Sequence, residues 1–162
     1  GALEYAQKHL WITCFLYGLL RPMDGIVPYR MEHCVTLEAT SNKPINQCWK
    51  DRLTDVLIGS VKADDGTLLH LSTEEYEHLF DWKRVCKEVT VIQPLFYVRQ
   101  KDGRLKMQAV WAKSCRGAMV RFILNNRPVT HEELSAFSYE GFEFAPQLGD
   151  ENNPHFVREN VK

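Results

Sequence analysis

The sequence predicts an α+β fold in which helices flank a mixed β-sheet within a single domain. Apolar residues recur at helical spacing in some segments and alternate with polar residues in others, and the two kinds of segment are interspersed along the chain. The chain has 162 residues, of which 44% are hydrophobic. A chain of this length and composition buries a substantial core without disulfides or a metal.

The first half of the chain predicts a helix, a strand and a second helix. Apolar residues recur at helical spacing from Leu3, and this helix should end near Arg21 because Pro22 restricts the backbone of the residue before it. Alternation over residues 30–38 predicts a half-buried strand. Inward-facing apolar residues then predict a helix over residues 45–61.

The elements that follow are shorter. A turn signal at residues 64–66 leads to a short strand over residues 67–71. Thr73 begins a short helix, because acidic residues in its first turns favour the positive end of the helix dipole. The last two helices are predicted over residues 114–126 and 131–137.

A β-hairpin is predicted between these helices. Residues 88–99 are β-branched and aromatic, and Asp102-Gly103 is a strong hairpin signal that pairs them with residues 104–113. Pro94 has no N–H to donate to a sheet, so this strand lies at an edge or carries a bulge there.

The domain is expected to cover residues 1–144. Residues 145–162 are acidic and rich in asparagine, and they are predicted to form a loosely ordered tail. The chain begins at Gly1 inside a helical pattern, without a capping residue or an initiator methionine. We therefore expect it to lack the N-terminal part of a longer protein.

The bulk composition excludes several classes of protein. No apolar run approaches the roughly 20 residues that span a bilayer, and no signal-peptide pattern is present. Five scattered cysteines and six histidines show no metal-binding or disulfide spacing. We therefore expect a cytoplasmic protein with reduced thiols and without a metal, a cofactor or a membrane partner.

Charge is strongly segregated along a chain whose formal net charge is only −1. Residues 103–131 hold six basic residues and no acidic one, whereas residues 64–82 and 132–151 each hold six acidic residues and no Lys or Arg. Such segregation lets a near-neutral chain present one cationic surface. The alternative is a solvated face whose cations pair with the acidic neighbours.

The start of the helix predicted over residues 114–126 favours the cationic surface. Ser114 is a natural N-cap, and Lys113 and Arg116 lie beside it although cations oppose the dipole at a helix N-terminus. An anion bound to the free N–H groups would resolve this opposition, and Gly117 would let a phosphate approach the backbone.

A second polar cluster lies on a loop stiffened by two prolines. Arg21, Asp24, Tyr29, Arg30 and Glu32 fall within twelve residues. Dense polar side chains on a rigid loop are typical of a binding site or of a buried ion-pair network, and both interpretations stay open.

These two stretches also carry a family resemblance. Tyr17-Gly18-Leu19-Leu20-Arg21-Pro22-Met23-Asp24, followed by Pro28-Tyr29-Arg30-Met31-Glu32, is similar to a signature of the YaaA peroxide-stress family. Ala112-Lys113-Ser114-Cys115-Arg116-Gly117-Ala118-Met119, with the Arg121-Phe122-Ile123 and Asn126-Arg127 that follow, resembles a second block of that family. The resemblance covers essentially the whole chain, but the family is longer at its N-terminus.

The resemblance implies a DNA-binding protein of the oxidative stress response, with a positively charged cleft. The DNA is expected to be duplex or distorted, and to be bound without sequence specificity through its phosphates. Carried over by motif, the cleft residues are Arg21, Arg30, Lys113, Arg116, Arg121 and Arg127. Tyr29 is a candidate for stacking on an unpaired base.

The sequence departs from the family at some positions. His70-Leu71-Ser72-Thr73 stands where the family has Asn-Leu-Ala-Ser, and Cys115 replaces an alanine. A thiol at a helix N-terminus between cations has a lowered pKa, so Cys115 is a candidate redox sensor.

An enzyme is the other alternative. Asp24 or Glu32 would act as general acid or base on a nucleotide or a nucleic-acid base, while arginines hold phosphate. This constellation has the residue types for acid–base chemistry, but structural ion pairing also explains them, and we favour that interpretation over an enzyme.

Overall fold

The fold is α+β, as the sequence predicts. A computed structural model describes residues 1–31, 35–128 and 130–159. Within this single domain the contacts divide the chain into two compact units. The first unit comprises Gly1–Leu68 and Ser72–Val91, and the second comprises Leu69–Leu71 and the chain from Ile92 onward.

The first unit is mainly helical. Its core is formed by the long helix Ile45–Lys62 and by the segments around it, with Leu57, Leu79 and Val85 nearly inaccessible to solvent. The elements in chain order are α1 (Ala2–His9), β1 (Ile12–Cys14), β2 (Gly18–Leu20), a 3-10 helix (Glu38–Thr40), α2 (Ile45–Lys62), β3 (Thr67–Leu69), a second 3-10 helix (Glu74–Leu79) and α3 (Trp82–Glu88).

The predictions for α2, for β3 and for the short helix after Thr73 are confirmed. The helix predicted from Leu3 to Arg21 is wrong, because the chain leaves the helix after His9 and forms an antiparallel hairpin of β1 and β2. The β-branched pair Ile12-Thr13 favours a strand, and Gly18 adopts a φ of +78° that an L side chain rarely adopts.

The strand predicted over residues 30–38 lies partly outside the described residues. In the described part, Thr36 forms an isolated bridge with Pro44 rather than a strand. After α3 the chain continues into β4 (Thr90–Ile92), which pairs with β3. Pro94 separates β4 from the next strand, so the predicted interruption at this proline is confirmed.

The second unit is built on a five-stranded mixed sheet. Its strands lie in the order β6 (Leu105–Lys106), β5 (Leu95–Arg99), β9 (Pro154–Glu159), β8 (Phe142–Gly149) and β7 (Ser138–Tyr139). β9 runs parallel to β5, and the other three pairings are antiparallel. The elements in chain order are β5 (Leu95–Arg99), β6 (Leu105–Lys106), α4 (Ala109–Asn126), α5 (His131–Ser135), β7 (Ser138–Tyr139), β8 (Phe142–Gly149) and β9 (Pro154–Glu159).

The structure confirms the mixed sheet and the hairpin around Asp102-Gly103, although β6 has two residues rather than the ten predicted for its strand. The prediction of a loosely ordered tail after residue 144 is wrong for residues 145–159. This segment completes β8 and forms β9, which lies in the middle of the sheet. Phe156 of β9 is fully buried, and so the segment is part of the core.

The core of the second unit lies between this sheet and α4. Phe96, Phe142 and Phe156 from three strands are buried at 2% exposure or less, together with Cys115 and Met119 of α4. Neighbouring rings meet edge to face or stacked at centroid distances of 5.6–6.3 Å, which is the range that aromatic pairs favour. Among the helices in the described part of the chain, none has the length and apolarity needed to cross a bilayer.

Candidate functional site

The helix that carries the predicted phosphate-binding residues begins earlier than the sequence suggests. α4 starts at Ala109, and Gln108 rather than Ser114 is its N-cap residue. Ala112, Cys115 and Met119 form a buried stripe at helical spacing, so the packed helix extends to residues before Ser114. Alanine also favours helical backbone. The N–H groups near Ser114 are therefore not free, and an anion held by backbone groups at this position is excluded.

The cations of α4 lie instead along its exposed face. Lys113, Gly117 and Arg121 follow one another at four-residue spacing and are all exposed, as is Ser114. Within the described residues neither Lys113 nor Arg121 forms an ion pair. A carbon atom added at Gly117 would meet nothing within 4 Å, so the surface above this glycine is open.

Arg116 lies at the border between this exposed face and the core. It is half-buried, and burial lowers the pKa of its guanidinium. No carboxylate pairs with it, and no hydrogen bond satisfies it, among the residues that the structure describes. A partly desolvated cation without a counter-charge is unfavourable, and an anionic ligand would relieve this.

His70 adds to the electrostatics around Arg116. Its side chain is buried, with 8% exposed, and its backbone N–H donates to the carbonyl of Ile92 at 2.8 Å. Burial, followed by the nearby charge of Arg116, lowers the pKa of His70 to about 4. The imidazole is therefore neutral at pH 7, and the positive charge at this position is that of Arg116.

Arg127 closes α4 at its C-terminus. It adopts a left-handed backbone with a φ of 51°, and its N–H donates to the carbonyl of Ile123 at 2.8 Å. Its side chain is exposed. The second unit thus brings Lys113, Ser114, Arg116, Gly117 and Arg121 onto one helix, with Arg127 at the end of that helix.

Arg21, in the first unit, makes contacts that stabilise the fold. Its guanidinium donates to the carbonyls of Lys8 at 2.9 Å and Leu10 at 3.1 Å, and lies 3.3 Å from the centre of the Trp11 ring. Burial lowers the pKa of this group, and the charge of Asp24 partly offsets that effect. These contacts hold the end of α1 against the loop that follows β2.

The rest of that loop is exposed. Asp24 accepts a hydrogen bond from the backbone N–H of Arg21 at 2.8 Å, whereas Arg30 has no ion pair within the described part of the chain. The Tyr29 hydroxyl lies 2.5 Å from the thiol of Cys14, and 39% of this tyrosine is exposed. Glu32, the other candidate acid or base, lies outside the described residues.

Cys115 does not have the environment of a redox sensor. It is fully buried in the interior of α4, and burial raises the pKa of its thiol to about 11. The charge of Arg158 lowers this pKa only in part. The predicted lowering of its pKa at a helix N-terminus is wrong because α4 begins six residues earlier, at Ala109.

A cavity of about 450 Å³ on the sheet of the second unit was not predicted from the sequence. Arg99, Arg158, Glu140, Glu143 and Glu159 contribute its charged lining, and Arg99 is paired with Glu159 at 3.0 Å. Three carboxylates and two guanidiniums leave the lining without an excess of positive charge, so the cavity does not suit a phosphate. The alternation of Phe142, Glu143 and Phe144 at the start of β8 is the sequence signal that indicates this strand.

Potential metal ligands are dispersed in the structure. No group of three His, Cys, Asp or Glu side chains converges as metal ligands within residues 1–31, 35–128 and 130–159. Cys14, Cys48, Cys86 and Cys115 are free thiols.

Comparison with known proteins gives consistent matches. The family model described as Peroxide stress protein YaaA matches residues 1–148. The chain is 47% identical over 153 residues to a UPF0246 protein of Bacteroides thetaiotaomicron, and 50% identical over 153 residues to one of Bacteroides fragilis. It is 48% identical over 155 residues to a UPF0246 protein of Porphyromonas gingivalis.

These matches cover 94–96% of the chain but only 59–60% of each relative. The chain therefore spans about three fifths of the length of the curated relatives that it matches.

Proposed function

Because the chain belongs to the family described as Peroxide stress protein YaaA, we propose that it binds DNA, without sequence specificity, in the response to peroxide. The binding surface is the exposed face of α4, which carries Lys113 and Arg121, with the half-buried Arg116 at its border. Arg30 and the exposed ring of Tyr29 lie in the first unit and are candidates for separate contacts with DNA. The proposed location is the cytoplasm, where bacterial DNA lies and where thiols stay reduced.

The environment of Arg116 is the observation that supports this proposal best. A half-buried guanidinium with no carboxylate partner among the described residues is unusual, because arginines so placed are normally paired. A phosphate oxygen would supply the missing charge and accept two parallel N–H bonds. The absence of any acidic residue from position 103 to position 131 supports the same ligand, since no neighbouring carboxylate in this stretch would repel it.

The chemistry of the surface favours phosphates over bases as the main contacts. Lysine and arginine on an exposed helix face neutralise phosphates and displace condensed counterions, so affinity falls steeply as salt rises. Phosphates occur in every sequence, and for this reason the binding is expected to depend on charge rather than on sequence. The buried His70 does not add charge at pH 7 because its pKa is lowered to about 4.

The test measures the affinity of the 162-residue chain for duplex DNA and for DNA with an unpaired bubble, at several salt concentrations. Arg116→Ala is expected to weaken binding by about tenfold and to reduce the slope of log affinity against log salt by about one. The double variant Lys113→Ala, Arg121→Ala should reduce the slope by about two.

Arg104→Ala is the matched control. Arg104 lies in the same basic segment, but its guanidinium is 2.6 Å from the carboxylate of Asp102. Removing a cation that is already paired should change affinity much less than removing Arg116. Equal effects of the two substitutions, or an affinity independent of salt, would contradict phosphate binding at α4.

A further inference from the structure

The loop after β2 exposes three large apolar side chains within five residues of the sequence. Met23 is 66% exposed, Ile26 is 51% exposed and Val27 is 70% exposed. Prolines at positions 22 and 28 bound this segment. Clustered exposure of large apolar side chains is unfavourable in water, and it commonly marks a surface that contacts another molecule.

The backbone of this loop is fixed by hydrogen bonds. The N–H of Met23 donates to the side-chain oxygen of Gln7 at 3.0 Å, and the N–H of Val27 donates to the hydroxyl of Tyr17 at 3.1 Å. The Tyr17 hydroxyl in turn donates to the carbonyl of Val27 at 3.4 Å. The apolar side chains therefore project from an anchored loop, which reduces the entropy lost when they enter a partner.

The charges around these side chains indicate the kind of partner. Asp24 is the one acidic residue of segment 22–30, and its carboxylate already accepts the backbone N–H of Arg21. Arg30 is exposed and unpaired within the described residues, and the ring of Tyr29 is 39% exposed. An apolar tip beside a cation and an aromatic ring complements stacked bases flanked by phosphates.

We propose that Met23, Ile26 and Val27 form an apolar wedge that inserts between the bases of DNA and separates them. The flanking Arg30 contacts a phosphate beside the opened step, and the Tyr29 ring stacks on a base next to it. Unstacking costs least where bases are already mismatched or unpaired. The wedge thus makes the protein prefer distorted DNA. This inference rests on the DNA binding proposed above and adds the structure of DNA that is preferred.

The test compares the original chain with the triple variant Met23→Ala, Ile26→Ala, Val27→Ala. DNA containing 2-aminopurine at an unpaired bubble and at a fully paired site reports unstacking through an increase in fluorescence. The original chain should increase the fluorescence and should bind the bubble about tenfold more tightly than the duplex. The triple variant should lose both effects and should keep the salt dependence, because the phosphate contacts are unchanged.

Val56→Ala is the control, since Val56 is 47% exposed on α2 and is not part of the loop. All four positions are exposed, so thermal unfolding of each variant should match that of the original chain. Equal preference for the bubble in the original chain and the triple variant would overturn the wedge while leaving DNA binding intact. No binding of the original chain to either DNA would instead overturn the proposed function and the wedge together.

Two other possible partners of the loop, a membrane and a second copy of the chain, give distinct results. If the loop contacts a membrane, only the original chain will bind vesicles of phosphatidylglycerol, and the fluorescence of 2-aminopurine will not change. If the loop joins two copies of the chain, the triple variant will lose a dimer that sedimentation detects in the original chain without DNA. Either result overturns the wedge.

Discussion

At the scale of single residues, the pair of His70 and Arg116 shows how burial decides which group carries charge. Both groups are basic, but only the guanidinium is charged at pH 7, because burial and the neighbouring cation lower the pKa of His70 to about 4. The unfolded chain has no such burial, and there the imidazole titrates near its ordinary pKa of about 6.5. Between these two pKa values, folding is therefore coupled to the loss of a proton from His70.

This linkage predicts the pH dependence of stability. Between pH 6.5 and about 4 the unfolded chain binds a proton that the folded chain does not bind, so stability falls as the pH falls through this window. The full loss attributable to His70 is on the order of 3 kcal/mol. Denaturant unfolding of His70→Asn should show a smaller decrease in the free energy of unfolding between pH 7 and pH 4.5.

The exposed His78 gives the control for this measurement. The decrease between pH 7 and pH 4.5 should change more in His70→Asn than in His78→Asn, because His70 is buried and His78 is exposed. An identical pH profile for His70→Asn and the original chain would show that His70 is not the linked group.

The sequence identifies residue types at this scale but not their surroundings. Lys113, Arg116 and Arg121 stand out from charge alone, and the structure places them on one helix. The half-burial of Arg116 could not be predicted, because it depends on where α4 packs. The Ser114 cap was predicted wrongly for a related reason: a serine can cap a helix, but the buried stripe of α4 carries the helix past it.

At the scale of secondary-structure elements, the turn between β8 and β9 depends on a glycine. Gly149 has a φ of +73°, and a carbon atom added to it would lie 2.2 Å from the backbone oxygen of Asn153. Gly141 has a similar φ of +79°, but an added carbon would meet only the Arg158 side chain, at 3.7 Å. Substitutions at the two glycines therefore distinguish the cost of backbone strain from the cost of steric overlap.

Gly149→Ala should destabilise the protein by more than 2 kcal/mol, because the clash adds to the strain of about 1 kcal/mol that a positive φ imposes. Gly141→Ala should cost only the strain. Thermal unfolding of the two variants checks this difference. Equal melting temperatures would mean that the turn rearranges to accept the side chain.

Elements with strong local signals are those that the sequence predicts well. The long helix α2 begins at the predicted residue and ends one residue after the predicted end, and the hairpin turn falls at Asp102-Gly103 as expected. The hairpin of β1 and β2 was missed because its apolar residues also fit a helical spacing. Gly18, the first residue of β2, is the one local sign of a turn, and a single glycine is a weak signal.

At the scale of the whole molecule, the pairing of β9 with both β5 and β8 could not be predicted. Local patterns do not indicate which strands become neighbours, and β5 and β9 are about 60 residues apart in the chain. The acidic and asparagine-rich residues around the turn between β8 and β9 gave the segment the composition of a tail. Phe156 in this segment is nevertheless fully buried, and Ala145 and Val157 are buried as well.

A chain that ends at Phe144 should therefore lose the fold of the second unit. It lacks β9 and most of β8, so the sheet has no central strand and the aromatic core loses Phe156. Limited proteolysis should leave a resistant fragment that ends near Val91, since the first unit has a core of its own. A chain that ends at Glu159 is the control, and it should resist digestion beyond Val91. Equal resistance of the two chains would contradict a central role for β9.

The position of β9 also has a consequence for synthesis on the ribosome. Translation produces this strand after the other four, yet it occupies the middle of the sheet. Until it emerges, the edges of β5 and β8 that flank it remain unpaired and open to the strands of other nascent chains. We expect association during translation to be greatest in this interval, and slow decoding after residue 149 to prolong it.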